Sequence, residues 1–246
     1  MERHLFVLGD SISMHYGPFL ETFVAGQFTC IRKGEKNAEP GDLNLGNDIN
    51  GGDSTLVLEY LNARVARGFK PDLLLLNCGL HDIKTDPASG AKRVSVGQYE
   101  KNLREISRIL QTSDIPVVWI RTTHVDETLH NRLIDAFWRY DHDVVLYNAV
   151  ADAVFSGTPV IDLYGFTKAL GGNPFCDHVH FTEEVRRLQA AFIAGHLLTQ
   201  PQPCRTDSRR IRSVLRRKGV YRGTALDEAR FWSRLRINKA ASKPIS

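Results

Sequence analysis

Residues 71–79 read Pro71-Asp72-Leu73-Leu74-Leu75-Leu76-Asn77-Cys78-Gly79. Four consecutive leucines bounded by proline and glycine form a continuous apolar run of strand length, which predicts a strand buried on both faces of a parallel sheet. Upstream, residues 4–8 form a second short apolar run, stopped by Gly9-Asp10-Ser11, and read as a buried strand feeding a turn. A helix over about residues 17–24, a strand over 28–31 and a helix over 55–65 follow, with the polar, glycine-rich stretch 33–53 as a long loop. Downstream, Tyr99, Leu103, Ile106 and Leu110 recur at helical spacing after Gly97. A strand over 115–120 has Pro116 near its beginning, where a missing donor is tolerated. Then come a helical segment around 129–140, short apolar runs at 144–147 and 160–163, and a helix over 183–198 with Thr182 as N-cap. Strand and helix alternate throughout. The expected fold class is therefore α/β, a three-layer α/β/α sandwich around a mainly parallel sheet, with ligands at the carboxyl ends of the strands.

Composition sets the outer bounds. The chain has 246 residues, of which 42% are hydrophobic and 24% charged, which excludes collagen-like, low-complexity and wholly disordered proteins. The net charge of +4 hides a division. After Cys204 there are 13 Lys and Arg against 3 Asp and Glu, so that segment carries +10 and the remainder −6. Pro201-Gln202-Pro203 marks the boundary, giving a main domain over residues 1–200 and a basic, partly helical C-terminal extension over 201–246. Such a tail attracts phosphates or anionic membranes. A −6 body can equally dock it on itself or on a second subunit, with Phe231 and Trp232 as apolar anchor. The expectation is thus a homo-oligomer through the tail, and nucleic acid or membrane contact is disfavoured. The N-terminus has too few apolar residues for a secretory signal, and no run approaches the ~18 apolar residues of a membrane span. Cys30, Cys78, Cys176 and Cys204 show no metal-site or disulfide spacing, so the expected compartment is the cytoplasm, with free thiols.

Three clusters fall where this topology places a site. Ser11, on a turn directly after the first strand, has the rigid placement a nucleophile needs, although Gly-Asp-Ser is also an ordinary cap. In Asp177-His178-Val179-His180, an Asp and a His three apart can set carboxylate beside imidazole, orienting the base that takes a serine proton. Spacing favours His180, leaving His178 as a solvent-facing loop residue. A metal site from Asp177, His178 and His180 competes, but no other cluster completes it, so no metal and no cofactor is expected. The third cluster, Asn77-Cys78-Gly79-Leu80-His81-Asp82, ends the leucine strand and can supply N–H donors to a developing oxyanion. Asn50-Gly51-Gly52-Asp53-Ser54 offers a glycine whose N–H can approach a ligand closely.

In this order, Gly9-Asp10-Ser11, Gly52, Gly79-x-x-Asp82 and Asp177-x-x-His180 resemble the SGNH (GDSL-type) hydrolase superfamily, over about residues 5–198. The resemblance implies a flavodoxin-like sandwich and a serine esterase. Ser11 would be the nucleophile, His180 the base and Asp177 its partner. The oxyanion donors would be the Ser11 and Gly52 N–H groups and the side chain of the third block. That block departs from the family pattern, with His81 standing where Asn is usual. A neutral imidazole still donates one N–H; the other reading has His81 pairing with Asp82 and shaping the loop. Asp10 and Asp82 are expected to touch substrate. The implied reaction is hydrolysis of small acyl esters, acetyl above all, on a carbohydrate or related metabolite. Acyl transfer, thioester cleavage and a binding protein that has lost the chemistry are the alternatives.

Overall fold

The computed structural model describes residues 2–34 and 49–199. The extension over 201–246, with its expected helix and docking surface, and most of the 33–53 loop lie outside the described residues. Five strands, β1 (Arg3–Leu8), β2 (Phe28–Arg32), β3 (Leu73–Leu76), β4 (Val117–Ile120) and β5 (Val160–Ile161), form one sheet in the order β2-β1-β3-β4-β5, and every pair is parallel. The leucine run lies in the middle, paired to β1 and β4, with all four side chains buried. Each contributes roughly 1.5–3 kcal/mol by leaving water.

The helices are α1 (Ser11–Val24), α2 (Ser54–Ala66), α3 (Val96–Thr112), α4 (Glu127–Leu133), α5 (Asp141–Val154), α6 (Leu163–Ala169) and α7 (Glu183–Thr199). After β1 the chain moves outward to β2, then returns past β1 to β3 and continues to β5. Right-handed crossovers in opposite directions put their helices on opposite faces of the sheet. Accordingly α1 packs with α7, and α6 on α7, while α2 and α5 pack on α3. The strand order reverses between β1 and β3, and a crevice opens at the carboxyl ends of strands at such a switch point. Ser11 follows β1 and the Asn77–Asp82 segment follows β3, so both clusters border it. Among the described residues no helix is long and apolar enough to cross a membrane.

Three expectations are corrected. The first helix starts at Ser11, six residues before the expected Gly17, and carries Pro18 inside it. Asp10 sets the start as N-cap, its carboxylate accepting from the Ile12 N–H at 3.0 Å. Burial of Ile12, Tyr16, Leu20 and Val24 at four-residue spacing holds one stripe against the sheet despite the donor lost at Pro18. The segment expected to be helical to Tyr140 is helical only to Leu133, because Trp138 exchanges both backbone hydrogen bonds with Thr85 at 2.8 Å. The apolar run 144–147 belongs to α5, where Val144, Tyr147 and Ala151 are buried while Val145 and Leu146 face outward.

Candidate active site

Ser11 is the first residue of α1, so its N–H is one of the orphan donors at a helix N-terminus, where a negative charge is favoured. His180 Nε2 lies 2.8 Å from Ser11 Oγ, and His180 Nδ1 lies 2.7 Å from Asp177 Oδ2. Asp177 Oδ1 accepts from the backbone N–H of Val179 at 2.8 Å and of His180 at 2.6 Å. The loop thus fixes the carboxylate from within. Its edges are tied by Phe175 and Phe181, which pair and stack at 5.0 Å. Burial works to raise the Asp177 pKa, but the His180 and Val179 N–H groups and the His180 ring outweigh it and bring it down to about 2. A carboxylate that stays charged places the imidazole proton on Nδ1 and leaves Nε2 to accept from the serine hydroxyl.

The third block follows β3, the strand next to β1. Asp82 is fully buried and accepts the Ser54 N–H on both oxygens, at 3.0 and 3.1 Å. It thereby fastens the β3 loop to the start of α2, next to Gly52. Burial, only partly offset by Ser54, raises its pKa to about 7. Asp10, capping α1, is also buried, and burial raises its pKa against the opposing Ile12 N–H. Asp10 thus caps α1, and Asp82 ties the β3 loop to α2. With Asp82 engaged by Ser54, the pairing of His81 with Asp82 is absent. The His81 ring is buried and makes no hydrogen bond among the described residues. Burial, then Lys84, Arg139 and Arg93, hold it well below the usual histidine pKa, and it is neutral. The Gly52 N–H is engaged, donating to Asn50 Oδ1 at 2.8 Å, while the Gly51 N–H donates to Gly9 O at 2.8 Å and ties this loop to the Ser11 turn. Gly52 sits at φ 73°, in the left-handed region.

Two further histidines, His15 and His178, lie against His180. His15, one helical turn after Ser11, sets its ring 4.7 Å from that of His180 and tilted by 55° to it; the i, i+4 spacing from Ser11 was the available signal. His178 is half-buried rather than solvent-facing, with Nδ1 2.9 Å from His130 Nδ1. Among the described residues no three His, Cys, Asp or Glu side chains come together as metal ligands. A cavity of about 580 Å³ adjoins the triad loop, lined by its Pro174 and Phe175 together with Asp126, Arg132, Lys168 and Asn173.

A serine hydroxyl, an imidazole and a carboxylate thus stand in series on a parallel α/β/α sandwich. Solved structures refine this to one fold. The described domain is similar to an acetyl xylan esterase, AlAXEase, with a TM-score of 0.58 and 16% identity over 79% of this chain and 99% of that one. A GDSL-like lipase from Bacteroides thetaiotaomicron gives a TM-score of 0.56 and 17% identity over 80% and 88%. Est24, a carbohydrate acetylesterase from Sinorhizobium meliloti, gives 0.56 and 13% over 80% and 99%. No family model and no curated protein matches the sequence. The fold is that of the SGNH (GDSL-type) hydrolases.

Proposed function

We propose that the chain is a serine esterase that removes small acyl groups, acetyl above all, from a carbohydrate or related alcohol. The observation that carries this reading is the unbroken series Ser11 Oγ, His180 and Asp177 at 2.8 and 2.7 Å. Ser11 Oγ attacks the ester carbonyl carbon as His180 Nε2 takes its proton. The C–O bond to the alcohol then breaks, and His180 returns the proton to the leaving oxygen. Water, deprotonated by His180, hydrolyses the acyl-serine and restores the enzyme. The oxyanion is held by the Ser11 N–H, by the His81 ring N–H and by the Gly52 N–H once the Asn50 carboxamide gives way. The adjoining cavity, where Phe175 stands among Asp126, Arg132, Lys168 and Asn173, suits a sugar alcohol. Two of the similar structures are named for acetyl esters of xylan and of carbohydrate, in keeping with that substrate class.

The test is a rate comparison on p-nitrophenyl acetate, butyrate and octanoate and on an acetylated xylo-oligosaccharide. Fastest turnover of the acetate, with acetate released from the oligosaccharide, is expected. Rates that climb with acyl length, or an inert oligosaccharide, contradict the substrate assignment.

A further inference from the structure

Arg139 is out of keeping with its surroundings. It is 1% exposed, yet among the described residues no carboxylate lies within ion-pair distance of its guanidinium. Of its five N–H donors one is used, from Nε to the Leu80 carbonyl at 2.8 Å, and Nη1 is buried without a partner. Phe137 lies under the guanidinium at 4.9 Å. Burial pulls its pKa down to about 10, which still leaves it charged at neutral pH, and Asp10 is the acid whose field acts on it. A buried, unpaired charge costs several kcal/mol, and replacement of such groups by apolar residues is often neutral or stabilising. Stability is therefore a poor reason for this residue.

Its position gives a better one. Leu80 O belongs to the peptide unit whose nitrogen is that of His81, so the Nε bond fixes the turn from which the His81 ring projects. The charge reaches His81, His130 and His178, all of which it disfavours as cations. We propose that Arg139 is the positioning residue of the oxyanion side: it holds the Leu80–His81 turn and supplies a fixed positive field where negative charge develops. Fixed charge in a dry site acts on the transition state without reorganisation, and the ground state, a neutral ester, gains little from it. The effect therefore falls on kcat and not on KM.

The inference rests on the esterase reading, and its test separates the two. Arg139→Met and Arg139→Lys are compared with the parent protein and with Ser11→Ala on p-nitrophenyl acetate, alongside thermal melting and ¹⁵N-histidine NMR titration of His81. The charges facing His81 are Lys84 on its own turn, Arg93, Arg139 and His180, so removing one of them moves its titration. Arg139→Met is expected to lower kcat about 10- to 100-fold, with KM within about twofold and melting unchanged or higher. Arg139→Lys recovers part of the rate, and His81 titrates at higher pH in the Met variant. A kcat within threefold of the parent while Ser11→Ala is dead overturns the proposal, as does an unmoved His81 titration. If Ser11→Ala keeps the parent rate, it is the esterase reading that fails, and the His81 titration still decides whether Arg139 acts on that ring.

Discussion

On the proton-transfer side of the crevice, the groups that would carry the reaction already have protein partners: Ser11 Oγ reaches His180, His180 reaches Asp177, and Asp177 is further held by two backbone N–H groups. On the side where the oxyanion would form, two of three groups lack such a partner. The His81 ring has no hydrogen-bond partner among the described residues, Arg139 Nη1 is buried without one, and the Gly52 N–H is occupied by Asn50. A buried donor left unmade is costly, by roughly 1–3 kcal/mol, and Arg139 Nη1 is such a donor.

The sharpest way to break this comparison is His81→Phe, which keeps a buried ring and removes the donor. A fall in kcat of about 10²- to 10³-fold is expected, read from steady-state rates on p-nitrophenyl acetate. A rate within a few-fold of the parent assigns the oxyanion to the backbone N–H groups alone. On the complete side, Asp177→Asn removes the charge and keeps the shape. A buried carboxylate in this role is worth about 10⁴ in kcat. The Asp177 side chain is 43% exposed, and water shares the work of stabilising the imidazolium, so a smaller loss of about 10² is expected. A loss as large as 10⁴ means that the loop closes over Asp177 when substrate binds.

Stability carries the smallest signal. Burial, then Arg186 and His180, lowers the His15 pKa to about 4, and burial, then Arg139 and His178, lowers that of His130 to about 3. Both folded values lie below the unfolded value of 6.5, so between these limits the unfolded chain binds more protons than the folded one. The stability these neutral rings contribute is fully present above pH 6.5 and is lost as the pH falls toward 4 and then 3. Calorimetric melting should drop steadily across that window, and less so in His15→Gln. A flat profile from pH 7 to 4 means that these rings are not held neutral.

Much of the fold was legible because its signals are local. Leu73–Leu76 reads as a two-sided buried strand wherever it stands, and the Asp177-x-x-His180 spacing sets two side chains side by side within one turn. What was not legible depends on distant partners. Gly17 and Pro18 look like the opening of a helix, but Asp10, buried by the sheet, opened it six residues earlier. A carboxylate near a strand end carries no sign of the loop it fastens, and only the structure shows Asp82 holding the Ser54 N–H. Arg139 meets Leu80 across 59 residues, and nothing near it in sequence points to the site.

The claim that Ser11 is the nucleophile, activated by His180, has one direct measurement. The protein is treated with a fluorophosphonate, and the labelled residue is located by peptide mass mapping in the parent, Ser11→Ala and His180→Ala proteins. A single stoichiometric adduct on Ser11 is predicted, absent in Ser11→Ala and slowed by orders of magnitude in His180→Ala. An unlabelled Ser11 in the folded parent protein, or an adduct that forms as fast without His180, contradicts it.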